Sequence, residues 1–400
     1  MMKRFVTSSP RRRKGRVAIP LCAFAIFGFG STALATSITV SNGAVRATFP
    51  GEPGNSYELH RTLNLLSWAV VAKTNPSSPG LVQIVDDFSD LGSQPPQAYY
   101  RLEWTPIPSF PLVGFATLLG STSGGAGGGT TTVSTASEFV AAVTATSTGI
   151  VRVVGTITLT GNVVPRSYKT IVGLGTNATI VGDLNIRRAT NVIVKNLHFT
   201  NPTGVGDGDG ITIEESRNVW IDHCTFYDCA DGALDITQGS DLVTVSWCKF
   251  FYTFDSGHNF VNLVGHSDNN AAEDAGKLRV TFHHNWWSTL CVERMPRVRF
   301  GRVHVFNNYF NSPGNNYCVR ASIESELLVE HNYFETIDEP YEKLDPPGLI
   351  QALNNITVNC TGVQSFSDTV FTPPYSYAPD ATTSVPGVVT NWAGAGKMGF

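Results

Sequence analysis

The sequence predicts an all-β protein: a right-handed parallel β-helix preceded by a small all-β, sandwich-like module. Three observations carry that prediction. An eight-residue pattern, apolar or β-branched at its first and third places and aromatic at its eighth, occurs six times between Val192 and Phe334. Its copies start 27, 24, 37, 23 and 24 residues apart, which is the length of one coil in a strand solenoid. Ahead of them, residues 37–107 alternate short β-rich runs with turn residues.

The copies are Val192–Phe199, Val219–Phe226, Val243–Phe250, Val280–Trp287, Val303–Phe310 and Leu327–Phe334. Period two within each copy points one face inward, so Val192, Val219, Val243, Val280 and Val303 should stack in one aliphatic column. Val194, Ile221, Val245, Phe282 and Val305 should stack in a second. The sixth place holds Asn285, Asn308 and Asn332, whose amides can bond one another and the turning backbone. Cys224 and Cys248 occupy that place in consecutive copies and should be neighbours, as stacked thiols or as a disulfide. The 37-residue step reads as one coil with an inserted loop. His223 and His284 share the fifth place, which points to contacts at a strand end rather than to chemistry.

The flanking segments read differently. Lys3, Arg4 and Arg11–Lys14, an apolar run over 17–30 and Ala33-Leu34-Ala35 match a secretory leader spanning 1–35, cleaved after Ala35. The run is short for a membrane span and carries a proline and two glycines, so the mature chain is expected to be secreted and free of the membrane. Residues 36–107 form the accessory module, 108–130 read as a flexible Gly/Ser linker, and 131–400 as the solenoid. A net charge of −4 with only 15% charged residues gives no basic excess for nucleic acid. Of seven cysteines, Cys22 falls in the leader, and no C-x-x-C pair suggests zinc or redox chemistry.

Unusual polar residues follow the aromatic in successive copies. Asp207 and Asp209 come after the first, Asp231 and Asp235 after the second, and Arg294, Arg297 and Arg299 after the fourth. Strands about 4.8 Å apart can gather four carboxylates on one outward face, with the arginines about 10 Å further along the axis. Clustered carboxylates repel one another unless a cation neutralises them, and an all-oxygen set suits Ca²⁺.

These residues carry a family resemblance. Asn218–Cys224, Asp231–Asp235, Val243–Trp247, Arg294–Gly301 and Val303–Asn308 resemble the pectate lyases, parallel β-helix polysaccharide lyases, over roughly residues 131–334. The resemblance implies Ca²⁺-dependent β-elimination of α-1,4-polygalacturonate by a monomer, with Asp209, Asp231, Asp235 and Asp207 on the metal. It implies Arg294 as the base, Arg299 on the substrate carboxylate and an alkaline optimum; Arg297, between them in sequence, is counted with Arg299 as substrate-binding. One departure is visible: many members carry a lysine before a Leu-x-Gly segment, whereas Gly257–Gly265 has none. Phe260 stands near that place, and His258 is an alternative substrate contact. Pectin lyase, β-helix polygalacturonase and noncatalytic polysaccharide binding are the competing readings, although the Gly-His-Gly and Arg-Ile-Lys signatures of polygalacturonases are missing.

Overall fold

The computed structural model describes residues 23–26, 37–51, 55–74, 76, 80–106 and 109–398. Most of the expected leader therefore lies outside the described residues; within it Ala23–Ile26 forms a strand beside Tyr99–Leu102. The chain divides into two compact units between Phe110 and Pro111. No helix among the described residues is long and apolar enough to cross a membrane.

The first unit has two sheets. One orders Ala23–Ile26, Tyr99–Pro106, Asn55–Thr62 and Ala69–Thr74, and the other Ser37–Ser41, Ala44–Gly51 and Gly80–Asp86. Inward residues at alternate places, among them Val45, Ala47, Phe49, Tyr57, Leu59 and Leu102, fill the core. The buried Arg61 is paired with Asp86 (2.9 Å), which also accepts from the Tyr100 hydroxyl (2.8 Å).

The second unit is a solenoid of three parallel sheets, with ten, nine and seven strands. All six sequence copies begin in the ten-stranded first sheet and are in register: Val192, Val219, Val243, Val280, Val303 and Leu327 face one another in turn. Each of those six is fully buried, as are Val194, Ile221, Val245, Phe282 and Val305. In-register parallel pairing sets like residues one strand spacing apart, so the eighth-place rings stack as well. Phe199, Phe226, Phe250, Trp287, Phe310 and Phe334 form a ladder with centroids 4.4–5.5 Å apart.

The corner between the first and second sheets explains the fifth and sixth places. Fifth-place residues Asn196, His223, Trp247, His284, Asn307 and His331 all adopt left-handed φ, which turns the chain. His223 stacks on Trp247, and Trp247 on His284 (4.2 Å), so these imidazoles pack in the corner. At the sixth place each asparagine carbonyl accepts from the backbone one coil earlier: Cys248 N–H to Asn285, Asn285 to Asn308, Asn308 to Asn332, and Asn332 to Asn355. Asn355 extends the ladder one coil beyond the sequence copies. Cys224 and Cys248 meet as buried free thiols, and all six cysteines of the described residues are unbridged.

The Gly/Ser-rich stretch is not the flexible linker expected from its composition. Phe115 and Ala116 are buried, and their N–H groups donate to Thr281 Oγ1 (3.1 Å) and Thr244 Oγ1 (3.2 Å) on the first sheet. Gly125 and Gly128 lie so close to the next coil that a Cβ would fall 2.0 Å from the Gly149 carbonyl oxygen and 2.2 Å from that of Thr148. Glycine here permits close backbone approach rather than freedom of motion. The solenoid's first strand, Gly129–Val133, then pairs with Gly149–Val153.

Candidate active site

The third sheet positions the chemistry-bearing residues. Its strands include Leu184–Arg187, Ile211–Glu214, Leu234–Thr237, Leu263–Val264, Arg297–Val298, Val319–Ala321 and Tyr341–Lys343. Asn185, Thr212 and Asp235 are aligned on successive strands. The Ile236–Val264 pairing puts Leu263 beside Asp235, and Leu263 in turn pairs with Arg297. Arg297 thus stands two strands, about 10 Å, from Asp235.

Two carboxylates converge from adjacent coils. Asp209 is 4% exposed; its Oδ1 accepts from the Gly232 N–H (2.7 Å) and its Oδ2 from the Thr212 hydroxyl (2.8 Å). Asp235 is 7% exposed and accepts from the Leu263 N–H (3.0 Å). Gly232 lies between them, since a Cβ there would sit 2.6 Å from Asp235 Oδ1 and 2.9 Å from Asp209 Oδ1. Burial, and then the charge of Asp235, hold the Asp209 carboxyl well above the usual range. Burial likewise pushes Asp235 up to about 7, against the opposing pull of Arg294.

The other two predicted carboxylates stand at the rim. Asp207 is exposed and accepts from the Asn185 amide (3.1 Å). Asp231, also exposed, is paired with His258 Nε2 (2.8 Å). Among the described residues, no three carboxyl, imidazole or thiol groups gather closely enough to form a finished metal cage. The donor set nevertheless fits a hard cation: oxygen atoms on two sides of a gap that a single methyl would fill, with mutual repulsion that positive charge would relieve.

Asp183 was not singled out from the sequence. It is wholly buried one coil before Asp209, where its Oδ2 accepts from the Asp207 N–H (3.3 Å) and its Oδ1 from Thr212 (3.4 Å). Burial raises it to about 7. The signal was a spacing: Asp183, Asp209 and Asp235 stand at intervals of 26 residues.

The three arginines have different surroundings. Arg294 adopts left-handed φ (62°), and its carbonyl accepts from the Asn262 N–H (2.6 Å). Its guanidinium lies 4.7 Å from the Phe260 ring centroid, and its buried Nε has no hydrogen-bond partner. Arg297 Nε is likewise buried and unpartnered; burial, with Arg299, Arg320 and Arg294 nearby, holds its guanidinium below the ordinary value. Arg299 is 8% exposed, ion-paired through Nε with Asp268 and donating through Nη1 to the Gly265 carbonyl (2.9 Å).

A β-solenoid bearing buried aspartates beside unneutralised arginines fits the known proteins this chain resembles. The family model described as pectate lyase matches residues 103–398. The pectate trisaccharide-lyase of Bacillus licheniformis is 35% identical over 314 residues, covering 73% of this chain and 89% of the relative. Pectate lyase E of Dickeya chrysanthemi is 31% identical over 378 residues, covering 74% and 89%. The chain belongs to the pectate lyase family. It is a polysaccharide lyase, and the sequence expectation on this point holds. Among solved structures, a pectate lyase of Bacillus sp. N165 in complex with trigalacturonate superposes with a TM-score of 0.62 at 28% identity, covering 72% of this chain and 99% of that one. The ring centroids of Phe260 and His258 lie 4.0 Å apart, His258 bonded to Asp231 and Phe260 against the Arg294 guanidinium.

Proposed function

We propose that this lyase cleaves α-1,4-polygalacturonate by calcium-dependent β-elimination, giving 4,5-unsaturated oligogalacturonates. The observation that carries the reading is the facing pair Asp209 and Asp235, with an unneutralised Arg294 close enough to bear on Asp235. Asp209 and Asp235 would hold Ca²⁺, with Asp231 and Asp207 closing from the rim. When bound, the ion would withdraw charge from the substrate's C6 carboxylate and so stabilise the carbanion-like transition state.

The chain's own groups do the rest. Arg294 takes the proton from C5; the C5–H electron pair forms the C4=C5 double bond as the C4–O bond breaks, and the departing oxygen takes a proton from solvent water. Arginine is ordinarily protonated, so this role calls for an alkaline optimum. Arg297 and the Nη2 edge of Arg299 are the remaining donors for the substrate carboxylate, which an arginine fork suits. His258 is bonded to Asp231 at the rim, and that bond would compete with a metal ion for the same carboxylate. The leader-like residues 1–35 support export, testable from the mature amino terminus, expected just after Ala35, and a monomeric state is tested separately by sedimentation.

The test is a polygalacturonate assay read by ultraviolet absorbance with and without EDTA. A lyase of this kind yields an unsaturated product that disappears with chelator and returns with calcium. Reducing ends without ultraviolet absorbance would instead indicate hydrolysis, and binding without product a noncatalytic role. The Bacillus licheniformis relative is named for a trisaccharide, so the product length in the same digest is worth reading.

A further inference from the structure

Arg294, half-buried with a buried Nε, is held in an unusual way for an arginine. Arg299 is paired with Asp268 and Arg320 with Glu342, whereas no ion pair holds Arg294 among the described residues. What it has instead is the face of Phe260, 4.7 Å from the guanidinium carbon to the ring centroid.

The surrounding loop fixes that ring. Phe260 forms a parallel bridge with Glu293, the residue before Arg294, and Val261 N–H donates to the Glu293 carbonyl (3.0 Å). The Tyr252 hydroxyl donates to the Phe260 carbonyl (2.7 Å) from a buried position. Further back, Thr253 donates to Asp228 through its N–H (2.8 Å) and its hydroxyl (2.6 Å), and the Asn259 amide closes the loop on the Phe254 carbonyl (3.0 Å). His258 packs on the ring's other neighbourhood, 4.0 Å between centroids, while bonded to Asp231. This loop joins Lys249–Phe251 of the second sheet to Leu263–Val264 of the third.

We propose that Phe260 is a positioning residue for the elimination: its ring face, rather than a carboxylate, fixes the Arg294 guanidinium while leaving the N–H edges free for substrate. A carboxylate in that place would occupy those same edges with bidentate hydrogen bonds. An aromatic face holds the flat side of the group instead and uses none of its donors. The inference rests on the role given to Arg294 above.

Four variants test it: Phe260→Leu, Phe260→Met, Phe260→Tyr and Arg294→Lys, each assayed for kcat, KM and half-saturating calcium on polygalacturonate, with a thermal melt. The expected result for Leu and Met is a kcat lower by roughly 10- to 100-fold, because a misaimed proton acceptor loses rate rather than binding. KM and half-saturating calcium stay within about twofold, and Tyr, which keeps the ring face, restores kcat. Unchanged kcat in folded Leu and Met variants, beside an inactive Arg294→Lys, overturns the positioning role alone. Parallel losses in kcat, calcium response and melting temperature, without rescue by Tyr, also overturn it, as a general structural defect. An active Arg294→Lys overturns the assignment of Arg294 itself.

Discussion

Gly232→Ala is the sharpest probe of where a cation would sit. The added Cβ would lie 2.6 Å from Asp235 Oδ1 and 2.9 Å from Asp209 Oδ1, both inside any normal carbon–oxygen contact. To reach an ordinary contact of about 3.4 Å, the Asp235 carboxylate must retreat by roughly 0.8 Å and that of Asp209 by roughly 0.5 Å. Calcium–oxygen bonds fall between about 2.3 and 2.6 Å, and a workable site tolerates errors of about 0.2 Å. A calcium affinity weaker by roughly 10- to 100-fold is expected, equivalent to about 1.4–2.7 kcal/mol. Gly232 does not have left-handed φ, so alanine adds no backbone strain, and overpacking should cost about 1–3 kcal/mol of stability. Gly161→Ala, where a Cβ would meet nothing within 4 Å, is the control. The measurement is lyase rate against free calcium, with a melt to establish folding. Should folded Gly232→Ala reach half-saturation at the wild-type calcium level, the placement of the ion between Asp209 and Asp235 is wrong.

Two other outcomes follow from the same geometry. Asn308→Ala removes an amide that donates to the Phe282 and Phe306 carbonyls and to Asn332, and accepts from the Asn285 N–H, all buried. Stranding those groups should cost about 2–4 kcal/mol in denaturant unfolding, and a loss below about 1 kcal/mol would refute the ladder's structural role. Asp183 and Asp235, both raised to about 7 by burial, make the calcium-free protein sensitive to pH. A carboxyl whose folded value exceeds its unfolded one gives stability that is present at low pH and lost as pH rises through the folded value. In EDTA the melting temperature should therefore fall from pH 5 to pH 8, by the equivalent of several kcal/mol at most, and calcium should reverse the fall. Asp183→Asn and Asp235→Asn should each flatten the slope; a flat wild-type profile in EDTA would remove the basis for the argument.

The fold was legible because a solenoid writes its geometry into its sequence. Each coil must present the same residue types at the same places to stack on its neighbours, so Val192 and its successors, the eighth-place rings and the asparagines all recur. The coils before Val192 escaped notice because they lack the eighth-place aromatic: Lys169–Gly173 pairs in register with the next strand but reads as an ordinary β-run. Asp183 was missed with them. In the first unit, Ala69–Thr74 is largely exposed and without alternation, whereas Gly80–Asp86 alternates and turns Ile84 and Asp86 inward. The Gly/Ser stretch misled because glycine serves both loose chain and tight backbone contact, and only the neighbouring coil distinguishes them.

By itself the sequence determined the coil period, the inward face of every repeat and the residue types available for chemistry, because in-register stacking ties each of these to local spacing. Tertiary structure decided which of those groups meet. Asp209 and Asp235 close on Gly232 while Asp207 and Asp231 turn to Asn185 and His258, and the loop between the second and third sheets brings Phe260 against Arg294. Such choices turn on side-chain reach and loop path across coils, where a shift of one residue or half an ångström changes the partner, and no repeat period records them.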